Sequence, residues 1–106
     1  MQLDEQVAQL KPAADQGNAT AQYQLGCMHF DGRGVAQDDK RAAALFKLAA
    51  DQGYALAQYQ LGGLHIYGRG VAQDDKRAAA LLKLAADQGF ATAQYQLGFC
   101  TLTDAV

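Results

Sequence analysis

The sequence predicts an all-α protein, a single domain built as a stack of about six helices. The first observation behind this prediction is an internal repeat with a period of 36 residues, which is typical of stacked helix pairs. The second is the lack of the alternating polar and apolar pattern that indicates β-strands. The third is composition, because 22 of the 106 residues are alanine, the best helix former.

The repeat divides the chain into four segments. Residues 18–53 and 54–89 align without a gap and differ at seven positions, so that 29 of 36 residues are identical. Residues 90–106 begin a third copy and then diverge, and residues 1–17 end like the tail of a degraded copy. We therefore predict a degraded leading helix, two full helix pairs, and a partial third copy that supplies one unpaired helix.

Each full copy is predicted to fold as two helices. In the first copy, the first helix covers about residues 19–31 and ends at Gly32, since glycine adopts the left-handed conformation that closes helices. Asp38 is suited to cap the second helix because its carboxylate accepts a hydrogen bond from an unpaired backbone N–H. Pro12 cannot donate a backbone hydrogen bond, so we expect the leading helix to end or kink near Leu10.

Helical periodicity separates a packing face from a variable face. The second helix carries the i, i+3, i+4, i+7 spacing of a buried stripe, which consists of Ala42, Leu45, Phe46 and Ala49. On the first helix, Leu25 and Met28 lie on the predicted packing arc, and Gly26 permits close helix approach. Four of the positions that differ between copies lie together on an adjoining arc of about 100°, namely Thr20, Cys27, Phe30 and Asp31. We expect this variable arc to lie outside the packing face.

A set of recurring positions identifies a family resemblance. These positions are Ala21-Gln22, Leu25-Gly26, Gly32-x-Gly34-Val35, Asp38, Ala42, Ala49-Ala50 and Gly53. The pattern resembles the Sel-1-like repeat, an α/α solenoid related to the tetratricopeptide repeats, and it covers nearly the whole chain. Members of that family are adaptors and scaffolds that assemble other proteins, and many are bacterial. The resemblance therefore implies an α/α solenoid with a protein or peptide partner.

The resemblance also suggests where a partner binds, because the variable arc matches the concave surface that tetratricopeptide-like units use for ligands. The candidate residues on this surface are Thr20, Tyr23, Cys27, Phe30, Asp31, Leu56, Tyr59, Ile66, Tyr67, Thr92, Tyr95 and Phe99. Tyr23, Tyr59 and Tyr95 recur one repeat apart, and tyrosine suits a binding face through its rigid apolar ring and polar tip. The alternative is that these tyrosines only pack between neighbouring first helices.

Composition and charge argue against several classes of function. The formal net charge is −2 and the isoelectric point is about 5.5, so we expect neither nucleic acid nor a membrane as partner. The N-terminus lacks the basic start and apolar stretch of a secretory signal, and we expect a cytoplasmic protein. The chain contains no serine and offers no arrangement of a nucleophile with a base, so we predict no enzymatic activity and no cofactor.

Three features that suggest a special site have simpler structural interpretations. Gly32-Arg33-Gly34 resembles part of a phosphate loop, but the glycines do not lead directly into a helix N-terminus as phosphate binding requires. Equivalent residues in stacked units lie about 8–10 Å apart or more, so His29 and His65 are expected to pack rather than to bind zinc. The same estimate places the only two cysteines, Cys27 and Cys100, too far apart for a disulfide, and we predict free thiols.

Two functional hypotheses remain open at this point. The first is a non-enzymatic module that holds a peptide or partner protein in the concave groove. The second is a structural array that associates with further copies of itself through its terminal helices, since the last helix has no following helix to cover its apolar side.

Overall fold

The computed structural model describes residues 3–89 and confirms the all-helical solenoid. Five helices of 12 or 13 residues follow one another without any strand in this part of the chain. They are α1 (Leu3–Asp15), α2 (Ala19–Asp31), α3 (Asp39–Asp51), α4 (Ala55–Tyr67) and α5 (Asp75–Ala86). The sixth predicted helix falls in residues 90–106, outside the described residues. None of the helices between residues 3 and 89 has the length and hydrophobicity that a bilayer span requires.

The helix ends form as the sequence predicts. The Asp38 carboxylate accepts a hydrogen bond from the Arg41 N–H at 3.0 Å, and Asp74 does the same for Arg77. Gly32 ends α2 in the left-handed conformation, with φ of +70°. Because these signals are local in sequence, they recur in both copies with nearly the same backbone angles.

The leading helix differs from its prediction, because α1 continues through Pro12 to Asp15. The missing N–H of Pro12 costs one hydrogen bond, yet the Pro12 carbonyl still accepts from Gln16 at 3.1 Å. Ala14, beyond the proline, is buried in a cluster with Leu25 of α2 and Leu45 of α3. Burial of this last turn offsets the loss at Pro12, and helix propensity alone does not account for such packing.

The core lies between the helices of each pair and between successive pairs. The predicted stripe on α3 is buried, as are Leu25 and Met28 on α2. Gly26 lies so close to α3 that a Cβ built on it would come within 2.8 Å of the Phe46 ring. The predicted packing faces are therefore correct, and Gly26 is required for the approach of α2 to α3.

A ladder of glutamine hydrogen bonds sets the register between copies. The buried Gln22 donates its side-chain amide to the Ala14 carbonyl at 3.1 Å and accepts from Gln52 at 2.9 Å. Gln58 repeats both bonds one period later, with Ala50 at 3.3 Å and Gln88 at 2.9 Å. Each glutamine gives a second donor to a carbonyl in the last turn of the preceding helix, which also accepts from the backbone N–H of Gly17 or Gly53. The sequence analysis missed this role, although Gln22 recurs beside the buried Ala21.

Candidate partner-binding surface

The structure separates the predicted surface residues into three groups. The exposed ones are Thr20, Asp31, Ile66 and Tyr67, the half-buried ones are Cys27, Leu56 and Tyr59, and the buried ones are Tyr23 and Phe30. Thr92, Tyr95 and Phe99 lie outside the described residues. The expectation that the variable arc avoids the packing face is therefore wrong for Tyr23 and Phe30, because the second copy covers both.

Tyr23 packs between neighbouring first helices. Its ring centroid lies 5.7 Å from that of Phe46 and 5.4 Å from that of Tyr54, in tilted aromatic pairs. Burial raises the pKa of the Tyr23 hydroxyl, and the neighbouring Gln60 side chain opposes part of this shift. The residue is 9% exposed. Tyr23 therefore packs inside the solenoid, which was the alternative interpretation of the recurring tyrosines.

Phe30 is covered by an arginine from the next copy. The Arg69 guanidinium carbon lies 4.2 Å from the centroid of the Phe30 ring, in a cation–π arrangement. Arg69 also forms a two-pronged ion pair with Asp39, from Nε to Oδ2 at 3.2 Å and from Nη2 to Oδ1 at 3.1 Å. One side chain of the second copy thus holds two helices of the first.

The groups around this arginine fix its carboxylate partner and its backbone. Gln37 donates to Asp39 Oδ1 at 2.6 Å and to the Phe30 carbonyl at 3.3 Å. Gly70, at φ of +73°, lies against the Asp39 backbone so closely that an added Cβ would clash with the Asp39 carbonyl. We call these five residues, Phe30, Gln37, Asp39, Arg69 and Gly70, the Arg69 clasp. The sequence analysis assigned the Gly-Arg-Gly segment only to ending a helix and missed this contact.

On α4, the residues equivalent to the five predicted positions of α2 are all at least partly exposed, including Tyr59 and Ile66, whose equivalents Tyr23 and Phe30 are buried. They follow one another at positions i, i+3, i+7, i+10 and i+11 along a single face, and we call them the α4 stripe: Leu56, Tyr59, Gly63, Ile66 and Tyr67. Ile66 is 39% exposed and Tyr67 is 68% exposed, and both are among the large exposed hydrophobic residues of the described chain. Among the described residues, the α4 stripe therefore holds the exposed large apolar side chains of the predicted surface.

A second apolar surface lies between successive second helices and was not predicted. Leu48 and Leu84, one period apart, are each 52% exposed. Each borders an open groove, of about 420 Å³ at Leu48 and about 360 Å³ at Leu84. The grooves have equivalent linings, with an aspartate (Asp15 or Asp51) and an arginine (Arg41 or Arg77) in each. Variation between copies cannot reveal such a surface, because its residues are identical in both.

Each histidine lies in the last turn of its first helix, and His65 binds the loop that follows. Nδ1 of His65 lies 3.0 Å from the Ala72 carbonyl oxygen, and since a carbonyl only accepts, the ring donates. In the first copy, Nδ1 of His29 is buried, and this burial lowers the pKa of the ring, while the Ala36 carbonyl opposes part of the shift. Within residues 3–89, no group of three or more histidine, cysteine or acidic residues is arranged to hold a metal ion.

Cys27 corrects a prediction, because it is disulfide-bonded and not a free thiol. It lies half-buried beside the core. We predicted free thiols on the assumption that residues 90–106 continue the regular stacking. That stacking would hold Cys100 two helix-packing steps from Cys27. Cys100 itself lies outside the described residues. As one half of a disulfide, Cys27 offers no thiol to a partner.

The comparisons with known proteins agree with this architecture. A family model for the Sel1 repeat matches residues 19–54, 55–90 and 91–104. The chain is similar to the solved structure of a Sel1 repeat protein from Oxalobacter formigenes, with 37% identity over 86% of this chain and 68% of that chain, and a TM-score of 0.80. No curated protein matches the chain.

A second solved structure belongs to a protective antigen present in uropathogenic Escherichia coli strains, which displays an SLR fold. The identity is 36%, and the TM-score is 0.77 over 85% of this chain. The chain spans only 19% of the length of that antigen. The similarity therefore concerns one segment of a much longer solenoid.

Proposed function

Because the chain belongs to the Sel1 repeat family, we propose that it is a non-catalytic module that binds a partner polypeptide along the α4 stripe. Proteins of this family are generally protein–protein interaction modules and are typically non-enzymatic scaffolds. The finer assignment, to one face of one helix, depends on the residues that the second copy leaves accessible.

One observation carries the proposal, namely the exposure of Ile66 and Tyr67 at the end of α4. A partner that covers them removes apolar area from water, which stabilises the complex by about 25 cal/mol per Å² before the cost of association. Tyrosine is enriched among the residues that dominate binding energy, since its ring is large and loses little conformational freedom. Leu56 and Tyr59 extend the same face toward the start of α4.

The proposed surface is narrower than the groove that the sequence predicts. Tyr23 and Phe30 contribute to it only indirectly, as the support on which the second copy packs. Thr20 and Asp31 remain exposed on α2. Thr92, Tyr95 and Phe99 remain predicted members of the surface.

A library of random peptides selected on the immobilised chain tests the proposal. We expect selected peptides to lose binding when Tyr59 and Tyr67 are both replaced by alanine, with the helical circular dichroism unchanged. Leu48→Ser is the matched control, because it removes an exposed apolar side chain from a different surface. Peptides that bind the double variant as tightly as the original chain, or that lose binding to Leu48→Ser instead, would show that the surface is assigned wrongly.

Association between copies through the terminal helices stays a prediction, since residues 90–106 are not described. Light scattering over a range of protein concentrations measures it directly. A rise in mean mass with concentration would support self-association, and a constant monomer mass would contradict it.

A further inference from the structure

Both copies carry an aspartate at the helix start and a glutamine that binds it, and Ile66 stands in the second copy where the first has the Phe30 ring. In the first copy, Asp39 and Phe30 receive Arg69, and Gln37 holds the carboxylate of Asp39 in place. In this molecule, a helix-start aspartate, a glutamine and an apolar side chain together bind an arginine. The occupied site is an internal reference for the equivalent position one repeat later.

The second copy reproduces the receiving side of the clasp. Gln73 donates to Asp75 Oδ1 at 2.8 Å, as Gln37 does to Asp39. The helix start has the same backbone geometry, with φ and ψ of −156° and 97° at Asp74, against −157° and 99° at Asp38. The carboxylate of Asp75 is thus oriented in the same way relative to its helix.

The residues that would fill this second site do not recur in the sequence. One period after Arg69 and Gly70 the chain carries Ala105 and Val106, so the repeat supplies no guanidinium at that position. Asp75 is exposed, and Ile66, which replaces Phe30, is 39% exposed where Phe30 is 6% exposed. By equivalence with Phe30 and Asp39, which both contact Arg69, Ile66 and Asp75 offer an apolar surface and a carboxylate to one guanidinium.

We propose that Ile66, Tyr67, Gln73 and Asp75, which we call the second acceptor, bind an arginine–glycine turn of a partner polypeptide. The arginine pairs with Asp75 through two parallel N–H donors and covers Ile66, as Arg69 covers Phe30. Glycine follows the arginine because the equivalent Gly70 lies against the backbone of the helix start, where a Cβ clashes. The inference rests on the proposed function and names the chemistry of its partner, since Ile66 and Tyr67 belong to the α4 stripe.

A short peptide with the sequence of residues 67–72, acetylated and amidated, is the direct probe. Titrated into the ¹⁵N-labelled chain, it should cause saturable chemical-shift changes at the amides of residues 66, 67 and 75. Replacing its arginine by citrulline keeps the shape and removes the charge, and should weaken binding about threefold to fivefold, the effect of one solvent-exposed ion pair. Replacing the glycine after the arginine by alanine should weaken binding as well.

Variants of the chain distinguish this inference from the proposed function. Asp75→Asn should weaken binding of the arginine peptide about threefold to fivefold, while Asp51→Asn, which removes the same charge from an exposed site elsewhere, should leave binding unchanged. Equal binding of the arginine and citrulline peptides, or no effect of Asp75→Asn, would overturn the second acceptor. If library peptides without arginine still need Tyr67 for binding, the proposed function is supported although the second acceptor is wrong. If no peptide binds the α4 stripe, both the proposed function and the second acceptor are contradicted.

Discussion

The two copies are nearly identical in sequence, yet equivalent residues lie in different surroundings. Ala43 is buried on α3, whereas Ala79, at the same position on α5, is exposed. Gln24 is exposed on α2, and its equivalent Gln60 on α4 is buried. A residue's exposure in this molecule is therefore set by the neighbouring helices as much as by its own position in the repeat.

The substitutions between the copies follow the same logic. Asn18 caps α2 with a 2.9 Å hydrogen bond to the Ala21 N–H, whereas Tyr54, its equivalent, makes no such cap and instead packs its ring against Tyr23. The second copy gives up a local bond at its own helix and gains a contact with the first. In repeat proteins, much of the stability comes from such interfaces between neighbours.

The largest difference between the copies should come from their second helices. Phe46 is fully buried against Gly26 and Tyr23, while Leu82, its equivalent, is half-buried. We expect Phe46→Ala to lower the free energy of unfolding by about 3–5 kcal/mol, as in other cores, and Leu82→Ala to cost less than half as much. Urea denaturation of both variants measures the two values. Equal losses of unfolding free energy would show that the second helices of the two copies are equally buried, which would contradict the difference described here.

The next largest effect concerns the glycine of the clasp. Gly70→Ala adds a Cβ against the Asp39 backbone at positive φ, and we expect a loss of about 3 kcal/mol, from backbone strain and steric overlap together. Gly53→Ala is the control, since Gly53 has φ of +87° but no atom within 4 Å of the added Cβ. It should cost only about 1 kcal/mol from the left-handed backbone. Similar losses for the two variants would mean that the loop does not hold the copies together.

A smaller difference is expected between the two arginines of the Gly-Arg-Gly segments. Arg69→Ala removes the ion pair with Asp39 and the cover over Phe30. Because the Arg69 side chain is 39% exposed and water screens the charges, we expect a loss of only about 1 kcal/mol. Arg33, the identical residue of the first copy, is exposed, and Arg33→Ala should change stability by less than about 0.5 kcal/mol. Thermal unfolding of the two variants in parallel gives the comparison.

The smallest effect is a dependence of stability on pH through His29. Burial lowers the pKa of His29 in the folded chain, so below its ordinary value of about 6.5 the unfolded chain binds the proton more readily. We expect the free energy of unfolding to fall as the pH drops below about 6.5, and to level off once the folded chain also binds the proton. His29→Asn should flatten this part of the profile, measured by urea denaturation between pH 5 and pH 8. An unchanged slope would assign the dependence to other groups.

Local signals in the sequence predicted most of the fold. The helix ends at Gly32 and Gly68, the caps at Asp38 and Asp74, and the buried stripe on α3 depend on residues within one or two turns of each other. Pro12 is the exception among them. Its local penalty is real, but packing of the following turn against two other helices outweighs it.

The candidate surface was predicted less well, because a position can differ between copies through its packing as well as through contact with a partner. Phe30 and Ile66 differ at a position where the packing of the copies also differs, because Arg69 covers Phe30 while Ile66 is 39% exposed. Leu48 and Leu84 do not differ at all, and they border accessible grooves. Comparison of the copies alone therefore both included buried residues and missed exposed ones.

The sequence by itself determined the period of the repeat, the number and ends of the described helices apart from the end of α1, and the face on which each helix pair packs. These properties follow from hydrogen-bonding and spacing rules that operate over a few residues. The tertiary structure alone decided which members of the variable arc are covered, where Arg69 binds, and that the α4 stripe stays open. Those outcomes depend on contacts 30 to 40 residues apart in the chain, where one copy becomes the environment of the other.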